Sequence, residues 1–183
     1  VSRVCAGIHY AHVKSDLEGQ PLRLIHRDLS PQNVLVSMEG EVKITDFGIA
    51  KATSSLIKTH PGILKGKVNY MSPEQISGQE LDQRSDIFSI GILLYELICR
   101  RPAFEGDSQI SVMQRIKKGE YPRPRDVTPD VPPEYSAVVE KSMAVNPADR
   151  YQNAEEMQLV LEDLFLKTGL RHPQVDLRKL MVI

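Results

Sequence analysis

One stretch of the sequence, between His26 and Gly48, carries most of the information about the fold and reads HRDLSPQNVLVSMEGEVKITDFG. In its middle part, apolar and polar residues alternate on either side of Glu39-Gly40. The regular apolar members are Val34, Val36, Val42 and Ile44. Alternation around a turn that contains glycine is typical of two antiparallel strands, so the stretch predicts a β-hairpin.

Acidic and amide side chains stand at both ends of this hairpin. Asp28 and Asn33 precede it, with Pro31 stiffening the turn between them, and Asp46 follows it. Phosphoryl transfer needs a carboxylate near the attacking hydroxyl and oxygen ligands that hold Mg²⁺ against the phosphates. These three side chains are candidates for both tasks.

The segments HRDLSPQN and DFG resemble the catalytic loop and the magnesium loop of protein kinases. The resemblance implies that Asp28 is the catalytic base that orients the substrate hydroxyl, and that Asn33 and Asp46 are magnesium ligands. It also implies ATP and Mg²⁺ as cofactors, and a sharp backbone turn at Gly48. Either motif is weak by itself, but their order and separation make the match specific.

Three further segments extend the resemblance over roughly residues 1 to 166, and they read YMSPEQ, RSDIFSIGILLYEL and NPADRY. They imply a buried ion pair between Glu74 and Arg150, and an Asp86 carboxylate that holds the backbone of the catalytic loop. The alternative for each residue alone is an ordinary solvated charge, which is where most charged side chains are found.

Two positions depart from the family pattern in a reciprocal way. Ser/Thr members usually carry a lysine two residues after the catalytic aspartate, where this chain has Ser30. The loop that usually reads Gly-Thr-Pro-x-Tyr here reads GKVNY, with Lys67 in the threonine position. We expect Lys67 to replace the missing lysine, with its ammonium within about 4 Å of the Asp28 carboxylate and Ser30 as a second partner. The alternative is a solvated lysine.

The rest of the chain predicts mainly helical structure. Helical periodicity occurs at residues 1–13 and near 85–100, 107–118, 133–144 and 153–168, and a long aperiodic loop is expected at 49–65. The expected fold class is therefore mainly α with a small β-hairpin, resembling the C-terminal lobe of a protein kinase. We assign residues 1–168 to this lobe and 169–183 to a C-terminal extension.

The sequence has no counterpart of the family's glycine-rich phosphate loop, strand lysine or helix glutamate. The N-terminal lobe is therefore expected to be absent, and the pattern at Val1 suggests a chain that begins part-way through a domain. The missing N-lobe of the same protein is an expected partner.

Net charge, the length of the apolar stretches and the cysteine positions argue against nucleic-acid binding, a membrane span and a disulfide. A net charge of -1, from 23 basic and 24 acidic residues, gives no overall attraction to nucleic acid or to an anionic membrane. The most apolar stretch, Ile87 to Cys99, is too short for a membrane span. Cys5 and Cys99 lie far apart in helical patterns, which favours buried thiols and a cytoplasmic location.

The leading hypothesis is a protein Ser/Thr kinase, represented here by its C-lobe and inactive alone, that phosphorylates Ser/Thr of a protein substrate. Pro31 and the YMSPE run resemble Ser/Thr kinases more than tyrosine kinases. An alternative is a pseudokinase or scaffold lobe, favoured by Ser30 and opposed by the intact Asp28, Asn33 and Asp46. A small-molecule phosphotransferase has a comparable Asp-to-Asn loop but lacks a long segment ending in SPE, so residues 49–74 argue against it.

Overall fold

The computed structural model describes residues 1–47 and 67–168. The loop expected at 49–65, the turn at Gly48 and the extension at 169–183 lie outside the described residues.

The described residues are mainly helical. The α-helices are α1 (Ser2–His12), α2 (Pro73–Ile76), α3 (Arg84–Cys99), α4 (Gln109–Lys118), α5 (Pro124–Val127), α6 (Pro133–Ser142) and α7 (Ala154–Lys167). Short 3₁₀ helices occupy Pro31–Asn33, Lys67–Tyr70 and Pro147–Asp149. The long helices lie where the periodicity predicts them. The short helices α2 and α5 were not predicted, and both begin with a proline at the first helical position, where the missing N–H costs nothing.

The predicted hairpin is confirmed. Strands β1 (Val34–Val36) and β2 (Val42–Ile44) pair antiparallel, with Val34 opposite Ile44 and Val36 opposite Val42. Gly40 closes the turn with a φ of +84°, a value that glycine adopts without steric cost. The hairpin packs on α1, and this contact places the ends of both strands beside the loop at 26–33.

Helix α3 forms the centre of the lobe because it is apolar on all sides, which is the pattern of a fully buried helix. Of its 16 residues, 12 are buried, and helices α1, α5 and α6 pack around it. At Gly91 a Cβ would lie 2.7 Å from Ser142 Cβ, so the close crossing of α3 and α6 requires glycine there. A rigid central helix can therefore anchor loops from several parts of the chain.

Both cysteines are free and buried in this core, as expected. Burial raises the pKa of the Cys5 thiol to about 12. Among residues 1–47 and 67–168, no helix is both long enough and apolar enough to cross a membrane.

Candidate active site

The loop that contains Asp28 is held by α3 through its backbone. The buried Asp86 carboxylate accepts hydrogen bonds from the N–H groups of His26 (2.8 Å) and Arg27 (2.9 Å), which confirms the predicted role of Asp86. Arg27 has a φ of +64°, in the left-handed region that costs energy for a residue with a Cβ. Its carbonyl accepts a hydrogen bond from Gln75 Nε2 (2.8 Å). Both backbone polar groups of Arg27 are thus bound, and these bonds stabilise the strained conformation next to Asp28.

Asp86 has a third partner that sequence reasoning missed. His12 Nε2 lies 2.7 Å from Asp86 Oδ2, and both side chains are 1% exposed. The sequence offered one signal, since His12 falls on the apolar face of α1. Periodicity shows which face a residue occupies, but it does not show which side chain meets it from a helix 74 positions further along the chain.

His26 connects the loop to the end of the hairpin. Its ring is fully buried, with Nε2 donating to the Thr45 carbonyl (2.8 Å) and Nδ1 accepting from the Asp28 N–H (3.3 Å). The ring also packs against Phe47, with 4.6 Å between centroids. His26 is therefore a packed imidazole that supports the loop containing Asp28.

The two expected magnesium ligands are brought together by the backbone of the hairpin. Asn33 is buried, and its Nδ2 donates a hydrogen bond to the Asp28 carbonyl (2.7 Å). The other polar atom of the side chain, the amide oxygen, is the one that can bind a metal ion. The Thr45 N–H donates to the Asn33 carbonyl (3.0 Å), and the next residue is Asp46, exposed and with a φ of +57°. An amide oxygen and a carboxylate are hard oxygen donors of the kind that Mg²⁺ prefers.

Lys67 contacts Asp28, as the sequence predicts. Lys67 Nζ lies 2.6 Å from Asp28 Oδ2, in a charge-assisted hydrogen bond between residues 39 positions apart. The Asp28 side chain is 12% exposed and the Lys67 side chain is 44% exposed.

The expected contact between Lys67 and Ser30 is wrong. Ser30 is 1% exposed and opens the 3₁₀ helix Pro31–Asn33, and its Oγ has no hydrogen-bond partner among the residues that the structure describes. The physical reason is that a carboxylate is the stronger acceptor for an ammonium, so the Lys67 side chain turns to Asp28.

The buried ion pair between Glu74 and Arg150 is confirmed. Arg150 Nη1 and Nη2 donate to the two Glu74 carboxylate oxygens at 2.7 and 2.9 Å, in the two-pronged geometry that guanidinium and carboxylate allow. The Ser85 hydroxyl also donates to Glu74 (2.7 Å). Burial by itself raises the pKa of Glu74, but the hydrogen bonds from Arg150 and Ser85 outweigh it, so the pKa of this carboxyl lies below its ordinary value.

This pKa shift predicts a loss of stability in acid. The contribution of a carboxyl with a lowered folded-state pKa is fully present above its unfolded pKa of about 4.3, and it disappears as the pH falls through the folded value. We expect the melting temperature of the parent protein to fall below about pH 4.3 more steeply than that of a Glu74→Gln variant. Melting curves between neutral and acidic pH measure this. Parallel pH dependence in the two proteins would contradict it.

Known proteins that are similar to this chain are protein kinases. The protein kinase domain family matches residues 1–164. Tyrosine-protein kinase MasK of Myxococcus xanthus is 44% identical over 156 residues, which is 85% of this chain and 24% of that protein. Probable serine/threonine-protein kinase PknB of Lactococcus lactis is 44% identical over 147 residues, 80% of this chain and 23% of that protein.

A third relative is serine/threonine-protein kinase PknL of Mycobacterium tuberculosis, 40% identical over 139 residues, covering 76% of this chain and 35% of that protein. The chain therefore spans between about a fifth and a third of the length of the curated relatives that it matches.

Proposed function

Since this chain belongs to the protein kinase family, we propose that the intact protein transfers the γ-phosphoryl group of ATP to a serine or threonine hydroxyl of a protein substrate. The observation that carries this proposal is the environment of Asp28. Its loop is bound to α3 through Asp86, Asn33 binds its carbonyl, and Lys67 binds its carboxylate.

In the proposed reaction, the Asp28 carboxylate accepts a hydrogen bond from the substrate hydroxyl and takes its proton as the oxygen attacks. A bond forms between that oxygen and the γ-phosphorus. The bond from the γ-phosphorus to the oxygen bridging to the β-phosphate breaks, and its electron pair leaves with ADP. The protein forms no covalent intermediate, so its contribution is positioning and electrostatic stabilisation.

Asn33 and Asp46 are the residues proposed to hold Mg²⁺. Bound Mg²⁺ would neutralise charge on the phosphates of ATP. Within residues 1–47 and 67–168 no three His, Cys, Asp or Glu side chains cluster as a metal site. Two protein ligands nevertheless suit Mg²⁺, which commonly completes its shell with water and substrate phosphates. The hydrogen bond from Asn33 Nδ2 to the Asp28 carbonyl links one proposed metal ligand directly to the loop of the proposed base.

The proposal also specifies the type of acceptor residue, serine or threonine and not tyrosine. Pro31 and the YMSPE run support a Ser/Thr acceptor, as do the names of PknB and PknL, whereas MasK is named a tyrosine kinase. We expect phosphoserine and phosphothreonine when the products of a mixed protein substrate are hydrolysed and separated. Phosphotyrosine alone would overturn the acceptor class and leave the kinase proposal in place.

The 183-residue chain is proposed to be inactive by itself. Its sequence contains no Gly-x-Gly-x-x-Gly segment to cover the phosphates, and its relatives are several times longer. We expect the purified chain to transfer no phosphate and to show little thermal shift with ATP and Mg²⁺, while the intact protein does both. Robust autophosphorylation by the chain alone would contradict this. Nucleotide binding without transfer in the intact protein would favour the scaffold alternative.

A further inference from the structure

We infer that Lys67 is a catalytic residue that delivers a positive charge to the transferred phosphoryl group from outside the loop that contains Asp28. This inference rests on the proposed function. It assigns a contact with the transferred phosphoryl group to Lys67, in the segment at 67–70. The alternative is a surface lysine whose contact with Asp28 has no effect on the reaction.

The Lys67 ammonium lies beside the proposed base. Lys67 Nζ is 2.6 Å from the carboxylate of the proposed base, so it lies where the substrate hydroxyl and the γ-phosphate must meet. Its side chain is 44% exposed, and an ammonium has three N–H donors. One donor binds Asp28, and the exposed side of the group can bind an incoming phosphoryl oxygen.

The segment that carries Lys67 is anchored to α3 and to the hydrophobic core. Val68 is 1% exposed and belongs to the hydrophobic core. The Tyr70 carbonyl accepts from the Ser89 hydroxyl (2.8 Å), and the Tyr70 hydroxyl donates to Glu96 (2.8 Å). Ser89 and Glu96 belong to α3, the helix that also holds the Asp28 loop through Asp86. One helix therefore anchors both the segment that carries Lys67 and the loop that carries Asp28.

A lysine ammonium suits the negative charge that develops during phosphoryl transfer. In the transfer described above, negative charge is spread over the phosphoryl oxygens at the transition state. A cation held in place beforehand stabilises that charge without the cost of reorganisation. Ser30, two residues after Asp28, brings no charge to the site, and its buried hydroxyl makes no hydrogen bond within the described part of the chain. Lys67 is then the side chain positioned to supply this charge.

The test begins with Lys67→Thr and Lys67→Gln in the intact protein. We expect kcat to fall roughly 10²-fold, the lower end of the cost of removing one preorganised transition-state donor, with little change in KM for ATP. Lys118→Thr is the control and should retain parental kcat, because Lys118, the last residue of α4, forms an exposed ion pair with Glu120 (3.5 Å) outside the proposed active site. Melting temperatures identify any variant that fails to fold. If one of the two Lys67 variants does not fold, kcat of the other tests the inference.

A double-mutant cycle with Ser30→Lys gives the sharper result. Ser30→Lys should lower kcat because two ammonium groups would compete for one carboxylate, and the Ser30→Lys/Lys67→Thr pair should recover to within about tenfold of the parent, since coupled neighbours are non-additive. Additive losses, or a parental or raised kcat in Lys67→Thr, would overturn the inference. If the parent is active and Asp28→Asn is inactive while Lys67→Thr retains full kcat, only this inference fails. A parent that transfers no phosphate would overturn the proposed function as well.

Discussion

Replacing Asp28 by asparagine in the intact protein is expected to lower kcat by roughly 10²–10⁴-fold, the usual value of a positioned general base. Asparagine has almost the same shape but cannot accept the proton of the substrate hydroxyl. The fold should be unaffected, because the backbone N–H and carbonyl of Asp28 are bound by His26 and Asn33, whichever side chain stands at position 28. Phosphate transfer to a generic protein substrate measures the effect.

The matched control for this prediction is Asp130→Asn, which changes an exposed aspartate between α5 and α6, outside the proposed active site. It should retain parental turnover, and both variants should share the parental melting temperature and circular dichroism spectrum. Unchanged turnover in Asp28→Asn would remove the proposed kinase mechanism.

Removing Glu74 should cause the largest loss of stability. We expect Glu74→Ala to lower the free energy of unfolding by roughly 3–5 kcal/mol, because it leaves the Arg150 guanidinium buried without its counter-charge. The Arg150 side chain is 0% exposed. Its bonds to the carbonyls of Ala144 and Val145 remain in the variant, but they do not neutralise its charge.

Urea unfolding of the intact protein measures this loss, with Glu80→Ala as the matched control. Glu80 is an exposed acid shortly after α2, and its removal should change the free energy of unfolding by no more than about 0.5 kcal/mol. Transfer activity should fall together with stability in Glu74→Ala, because the neighbouring Gln75 holds the Arg27 carbonyl of the catalytic loop. A parental unfolding midpoint and slope in Glu74→Ala would contradict the buried-pair explanation.

Two long-range contacts could be expected from the sequence because family motifs contain their residues. They join Glu74 with Arg150, and Asp86 with the loop backbone, and both are present. The bond between His12 and Asp86 belongs to no quoted motif and was missed. Its two residues meet because α1 packs on α3, and helix packing depends on the shapes of many side chains at once.

Local patterns were sufficient for the hairpin, the long helices and the burial of α3, because periodicity and turn residues act over a few neighbouring positions. The sequence also indicated that Lys67 and Asp28 meet, since two reciprocal departures from a family pattern point to one small volume. Only the tertiary structure showed that Ser30 is not a second partner of Lys67. Its ammonium binds the Asp28 carboxylate at 2.6 Å, and the Ser30 hydroxyl remains buried without a partner in the described residues, because a charged acceptor outcompetes a neutral one once α3 has fixed both backbones.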